Sequence, residues 1–210
     1  MSADTAQVQL AITLENAARS AVQAQVSTAI YVLDDVRGTR SGEPVARIAP
    51  VQVAVPATGS ARVQGTTQID QPRLWGPPPT QRPHRYIAVT EVSQNGRVVD
   101  RYDTPFGIRS IVFDAGKGLL VNGEHVPIRG VNNHHDLGAL GAAFNLRAAE
   151  RQLQLQQQMG ANAIRMSHNP PAPELLELTD RMGLLVVDEV FDSWETVSYT
   201  HLRAHETRGN

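Results

Sequence analysis

Three stretches decide the fold of the second half of this chain: Ile128-Arg129-Gly130-Val131-Asn132-Asn133-His134-His135-Asp136, Ala163-Ile164-Arg165-Met166-Ser167-His168, and Leu184-Leu185-Val186-Val187-Asp188-Glu189. Each begins with a short apolar run and ends in polar side chains, and a segment with helical signals separates each from the next. The order strand, helix, strand, helix, strand predicts parallel strands joined by right-handed crossovers. Polar side chains at the carboxyl ends of parallel strands converge on one face, where α/β barrels build their active sites. The pattern therefore predicts an enzyme.

The two intervening segments carry ordinary helix boundaries. Asn145 is a plausible N-cap for a helix through Met159 that Gly160 closes, and Pro173 suits the first turn of a helix that ends at Gly183. The residues expected to form the buried stripe of the first helix are Ala149, Leu153, Leu155 and Met159. The expected strands are 128–131, 163–164 and 184–187. Three strands and two helices are less than half of an eight-stranded barrel, so we expect the first part of a (β/α)8 TIM barrel.

The first half of the chain has the period-2 alternation of β-strands. Val8 to Leu14, Val22 to Val26 and Val51 to Val55 alternate apolar with polar or small residues. Asn95-Gly96 and Asn122-Gly123 favour the positive φ angles of tight hairpin turns. These short strands predict an antiparallel β-sandwich of roughly 100 residues. Trp75, in a proline-rich segment, could stack on a sugar ring, but packing against the sandwich edge is the preferred interpretation.

Composition excludes several classes of protein. The 210 residues include 19 basic and 21 acidic side chains, a net charge of -2, and no basic run stands out. This balance argues against a nucleic-acid partner. There are no cysteines, hence no disulfides or thiolate metal sites. No signal peptide or membrane-length apolar stretch is visible, so no membrane partner is expected. The sequence does not assign the protein to a cellular compartment.

The histidines at the strand ends are the first candidates for chemistry. His134 and His135 follow the first strand and His168 follows the second. Adjacent residues of a strand cannot point the same way, so at most one of His134 and His135 readily faces the site. A neutral imidazole offers one donor and one acceptor, which suits sugar hydroxyls. A metal site built from His134, His135 and His168, or a purely structural role, remains an alternative.

Arg165, Asp188 and Glu189 are the charged candidates. A buried arginine requires an acidic partner, which could be a catalytic nucleophile, or Asp188 or Glu189 within the barrel. Asp188 and Glu189 are poor candidates for the acid/base pair of a glycosidase. Adjacent strand residues face opposite sides, whereas a retaining pair must flank one bond at about 5–5.5 Å.

These motifs resemble glycoside hydrolase family 2, the family of β-galactosidases, β-glucuronidases and β-mannosidases. Four segments agree with it in order and spacing: Phe106-Gly107-Ile108-Arg109, 128–136, 162–171 and 188–194. The resemblance runs from about Val8 to Trp194. It implies an immunoglobulin-like β-sandwich followed by the start of the catalytic TIM barrel.

The resemblance also implies the activity, a retaining exo-β-glycosidase and specifically a β-galactosidase. It gives His134 and His168 the role of binding substrate, Arg165 that of orienting the nucleophile, and Asp188 and Glu189 that of supporting the site. The family's two catalytic glutamates lie further along the barrel, so we expect no catalytic residue in these 210 residues and no activity from them alone. No cofactor is implied. Some β-galactosidases of the family bind magnesium through a Glu-x-His motif, and the corresponding stretch here reads Phe191-Asp192-Ser193-Trp194-Glu195.

We expect an internal fragment with a sandwich domain over 1–108, part of the barrel over 109–195, and an off-pattern tail over 196–210. His201 and His205 in that tail could form a helical metal site, but a disordered or non-native segment is preferred. The expected partner of the complete enzyme is a β-galactoside-like carbohydrate. Assembly into a homo-oligomer is an open alternative. Two rival functions remain, a non-catalytic carbohydrate-binding or interaction module and a histidine-based metal hydrolase. The low aromatic content, 5% of residues, weakens the first.

Overall fold

The computed structural model of the chain describes residues 4–34 and 38–189. Most regular elements are β-strands, and two α-helices occur among the described residues. The chain divides into two compact units, Met1–Val126 and Pro127–Asn210. The first unit includes the hairpin that follows residue 108, and the domain boundary at that residue stays a prediction.

The first unit contains two antiparallel sheets that bear the alternating segments. One pairs β1 with β4, the other has the order β3-β2-β5-β6, and a smaller sheet has the order β7-β8-β9. The strand bounds are β1 Thr5–Asn16, β2 Val22–Asp34, β3 Thr39–Val55, β4 Gly59–Asp70, β5 Arg85–Gln94, β6 Arg97–Gly107, β7 Ile111–Asp114, β8 Gly118–Val121 and β9 Glu124–His125. Each alternating run that the sequence indicated lies within one of these strands.

Aromatic and aliphatic side chains fill the core of this unit. Ile30 and Ala88 are fully buried, and Tyr86 stacks on Phe106 with ring centroids 5.7 Å apart. Trp75 is only 2% exposed, and the guanidinium of Arg109 lies 4.4 Å from the centroid of its ring. A side chain buried in this way is not open to a sugar ring. The structure therefore supports the packing interpretation of Trp75.

Both Asn-Gly dipeptides form the turns that the sequence predicted. Asn95 and Gly96 have φ angles of 51° and 75° between β5 and β6, and Asn122 and Gly123 have φ angles of 56° and 80° between β8 and β9. Asparagine and glycine tolerate this left-handed backbone, which most other residues avoid. The two hairpin predictions are confirmed.

The second unit is a three-stranded parallel sheet with two helices. Its elements are β10 Gly130–His134, α1 Leu146–Gln158, β11 Ala163–Ser167, α2 Pro173–Met182 and β12 Leu185–Val187. The strand order is β10-β11-β12, and both pairings are parallel, as predicted. The predicted bounds of the first two strands were wrong. His134 is the last residue of β10 rather than a residue after it, and β11 runs through Arg165 to Ser167.

The helix boundaries follow from local chemistry. The side chain of Asn145 accepts a hydrogen bond from the backbone N–H of Ala148, which caps α1. Pro173 occupies the first turn of α2, and Gly183 ends that helix in the left-handed conformation. These predictions are confirmed.

The predicted buried stripe of α1 was partly wrong. Ala149 and Leu153 are buried against Ile164 and Met166 of β11, but Leu155 and Met159 are 43% and 73% exposed. The third buried position of α1 is Gln156 instead. Its amide exchanges hydrogen bonds with Asn133 of β10, so a polar pair occupies the place where an apolar residue was expected.

Candidate functional site

The alternation of β10 and β11 separates core residues from site residues. Ile164 and Met166 pack with the helices, and Asn133 bonds to Gln156 on α1, so these side chains face the helical layer. Arg165 lies between the two core residues of its strand and therefore points to the opposite face of the sheet. Its Nη1 lies 3.4 Å from the Oδ1 of Asn132, the residue before Asn133. The non-helical face is thus the polar one.

Glu189 is the centre of the cluster on this face. Its Oε1 forms an ion pair with Nη2 of Arg165, and its Oε2 lies 3.0 Å from Nδ1 of His168. The side chain of Glu189 is 21% exposed, whereas those of Arg165 and His168 are 43% and 45% exposed. One carboxylate therefore connects the end of β11 to the end of β12. Of the partners considered for Arg165, the structure provides Glu189.

The two substrate-binding candidates lie side by side. The rings of His134 and His168 are 5.3 Å apart between centroids and meet edge to face at 76°. Both residues are exposed, so a ligand can reach them. His134, His168, Arg165 and Glu189 come from three strand ends and form one cluster, which the positions of these residues at the strand ends had suggested.

Asp188 and His135 are not part of this cluster. Asp188 is exposed, and no hydrogen bond or ion pair joins its side chain to another residue in 4–34 or 38–189. His135 lies beside a cavity of about 230 Å³ that Asn133, Met166 and Leu175 also line. Asn133 and Met166 face the helices, so this cavity lies on the helical side of the sheet.

Three site features had no clear signal in the sequence. Asn132 contributes an amide oxygen beside Arg165, and the hydroxyl of Ser167 is buried without a hydrogen-bond partner in the described part of the chain. The Ser167–His168 peptide bond is cis. Asn132 lies two residues before His134 in β10, and its uncharged amide does not by itself mark it as a site residue.

The described residues do not provide the ligands that a histidine-based metal site would need. Within 4–34 and 38–189, no group of three histidine, aspartate or glutamate side chains is placed to hold a metal ion. Phe191 to Glu195 and the histidines at 201 and 205 lie outside the described residues.

None of the helices that the structure describes is both long and apolar enough to cross a membrane.

The chemistry available to the cluster is recognition. Arg165 forms an ion pair with Glu189, while the imidazoles and the amide of Asn132 offer further hydrogen-bonding groups. Glycoside hydrolysis requires two carboxyl groups on either side of one bond. Among the described residues of the cluster, Glu189 is the single carboxylate, and it is already engaged by two partners.

Comparison with known proteins defines the class. Residues 1–109 match the family model described as Glycosyl hydrolases family 2, and residues 114–206 match its TIM barrel domain. The chain belongs to glycosyl hydrolase family 2, a family of glycosidases. The second match extends past residue 195 into the segment predicted to be off-pattern.

Individual relatives include glycosidases of two specificities. The chain is 53% identical over 133 residues to Beta-galactosidase BoGH2A of Bacteroides ovatus, which covers 63% of this chain and 15% of that protein. It is 33% identical over 122 residues to Beta-glucuronidase of Bacteroides fragilis, covering 58% of this chain and 17% of that protein. These shares mean that the chain spans about a sixth of the length of these curated relatives.

A solved structure of the same family resembles most of this chain. The crystal structure of a glycosyl hydrolase family 2 member from Bacteroides cellulosilyticus superposes with a TM-score of 0.80 at 32% identity. The superposition covers 97% of this chain and 27% of that one.

Proposed function

We propose that this chain is part of a retaining exo-β-glycosidase that removes terminal β-galactosyl residues. The observation that carries the proposal is the cluster of His134, His168, Arg165 and Glu189 at the carboxyl ends of parallel strands in a family 2 chain. Because the chain spans a small share of its relatives, the activity is proposed for the protein to which these residues belong.

The proposed roles follow from the contacts. His134 and His168 bind hydroxyl groups of the terminal sugar, since both are exposed and adjacent. Arg165 orients the nucleophile from its position beside Glu189, and Glu189 supports both Arg165 and His168. Asp188 supports the strand end. The two catalytic glutamates are assigned to other parts of the barrel.

The choice of galactose rests on two considerations. The identity of 53% with a β-galactosidase exceeds the 33% with a β-glucuronidase. In addition, a uronic acid needs a cation for its carboxylate, and Arg165, the one cationic side chain in the described cluster, is already paired with Glu189. A neutral hexose therefore suits the described part of the site better than a uronate.

The proposal includes the architecture implied by the family. We infer that the sandwich of β1 to β6 is an immunoglobulin-like domain and that β10 to β12 with α1 and α2 are the first part of a (β/α)8 barrel. Two antiparallel sheets and three consecutive parallel strands support these assignments.

A panel of p-nitrophenyl glycosides tests the specificity of the enzyme that contains this chain. We expect kcat/KM for the β-galactoside to exceed that for the β-glucuronide and β-mannoside by at least about a hundredfold, or about 2.7 kcal/mol. A preference for the glucuronide would assign the protein to the other specificity found among its relatives. Absence of turnover on all three would contradict the exo-glycosidase proposal.

A further inference from the structure

The contact between His168 and Glu189 fixes which nitrogen of the imidazole carries the proton. Nδ1 of His168 lies 3.0 Å from a carboxylate oxygen of Glu189, which as an ionised group can only accept hydrogen bonds. The other oxygen of that carboxylate forms an ion pair with the guanidinium of Arg165. A neutral His168 in this contact must therefore hold its proton on Nδ1 and present Nε2 as an acceptor.

We propose that Glu189 is a positioning residue that makes His168 a hydrogen-bond acceptor toward the substrate. This inference rests on the proposed function and specifies the group that His168 recognises. An acceptor nitrogen binds a hydroxyl that donates its proton, and it disfavours a carboxylate, which has no proton to donate. His168 thus selects a sugar with a free hydroxyl at the position it contacts and rejects an oxidised or esterified one.

The surroundings of His168 leave this assignment intact. The neighbouring group on β10 is His134, whose ring meets that of His168 edge to face at 5.3 Å. Arg165, a donor without acceptor capacity, is bound to the same carboxylate through its other oxygen. The contacts of the described residues thus give Nδ1 one acceptor, Glu189, and leave Nε2 on the 45% exposed side chain for a ligand.

Long-range ¹H–¹⁵N correlation spectra of the 210-residue chain, uniformly labelled with ¹⁵N, test the tautomer directly. The spectra are recorded without sugar, at a pH that keeps the imidazole neutral, and His168→Gln assigns the resonances. We expect a protonated, pyrrole-type Nδ1 and an unprotonated, pyridine-type Nε2 in the parent chain. A pyridine-type Nδ1 would overturn the inference.

Variants separate the role of Glu189 from a general structural one. Glu189→Ala should move His168 toward the Nε2–H form, whereas Glu189→Gln, whose carbonyl oxygen can still accept, should retain Nδ1–H. Glu177→Gln, at an exposed position of α2, is the matched control and should leave the resonances unchanged. An unchanged Nδ1–H form in folded Glu189→Ala would contradict the inference, and if that variant does not fold, the parent spectrum alone decides. Because no sugar is present, these results are independent of the glycoside panel.

Discussion

Asn133 and Gln156 exchange two hydrogen bonds in the interior of the second unit. Gln156 Nε2 donates to Asn133 Oδ1 at 2.6 Å, and Asn133 Nδ2 donates to Gln156 Oε1 at 3.3 Å. Both residues are buried, so the pair fixes β10 against α1 directly before His134. This contact on the helical face of β10 therefore helps to position the candidate site residue His134 on the opposite face.

Gln156→Ala should destabilise the second unit by about 1–3 kcal/mol, because it leaves the amide of Asn133 buried without a partner. The free energy of unfolding, from urea titration followed by circular dichroism, measures the effect. Gln158→Ala at the exposed end of α1 is the matched control and should change it by less than about 0.5 kcal/mol. Equal effects of the two substitutions would show that the hydrogen bonds between Asn133 and Gln156 do not contribute to the free energy of unfolding.

Asn122→Ala should destabilise the first unit by about 1–3 kcal/mol. The side chain of Asn122 donates to the backbone oxygen of Trp75 and to Gln81, and accepts from the backbone N–H of Ser110, at 2.8–2.9 Å. Asn95→Ala removes an exposed asparagine whose φ of 51° is similar to the 56° of Asn122, and so isolates the cost of the turn itself. Comparison of the two midpoints in urea measures the difference. A loss at Asn95 as large as that at Asn122 would assign the effect to backbone strain alone.

The ion pair between Arg101 and Asp103 should be visible in an acid titration. Two hydrogen bonds of 2.8 Å from Arg101 lower the pKa of Asp103, with the charge of Arg40 acting in the same direction. Because the pKa is lower in the folded than in the unfolded chain, the pair adds stability above the unfolded pKa and loses it as pH falls through the folded one. Both side chains are about 40% exposed, so the contribution is small. The ¹³C shift of the Asp103 carboxyl follows the titration, and Arg101→Gln should raise its pKa. No rise in that variant would contradict the assigned cause.

The 210-residue chain alone should not hydrolyse aryl β-galactosides above background. The reason is chemical: Glu189 is the single carboxylate of the described cluster, and retaining hydrolysis uses a pair about 5–5.5 Å apart. Release of p-nitrophenol by the purified chain is the measurement, with an equal amount of His168→Ala as the control for contaminating glycosidase. Turnover in the parent that disappears in this variant would show that the described residues suffice for catalysis.

Local sequence signals predicted the helices and turns. They did not predict which side chains pack against one another. Asn145, Pro173 and Gly183 act locally, Asn145 through a side-chain hydrogen bond within its own turn and the other two through their backbone conformation, so the sequence indicates their roles. Leu155 and Gln156 are adjacent on α1, and which one is buried depends on the side chain that β10 presents, Asn133. The positions of the strand ends suggested the cluster of His134, Arg165 and His168. The choice of Glu189 over Asp188 as the partner of Arg165 required the register of β12 against β11.

Steady-state kinetics of His168→Ala in the enzyme that contains this chain tests the central claim, that His168 binds the terminal sugar. Hydrogen bonds that strengthen in the transition state should make kcat/KM for p-nitrophenyl β-galactoside fall by about 100- to 1,000-fold, or about 3–4 kcal/mol. His125→Ala, at an exposed position of the β8–β9 hairpin, should leave kcat/KM within about twofold of the parent. The account predicts a fall in kcat as well as a rise in KM for His168→Ala alone. A kcat/KM for His168→Ala within twofold of the parent would contradict it and make His168 a structural residue.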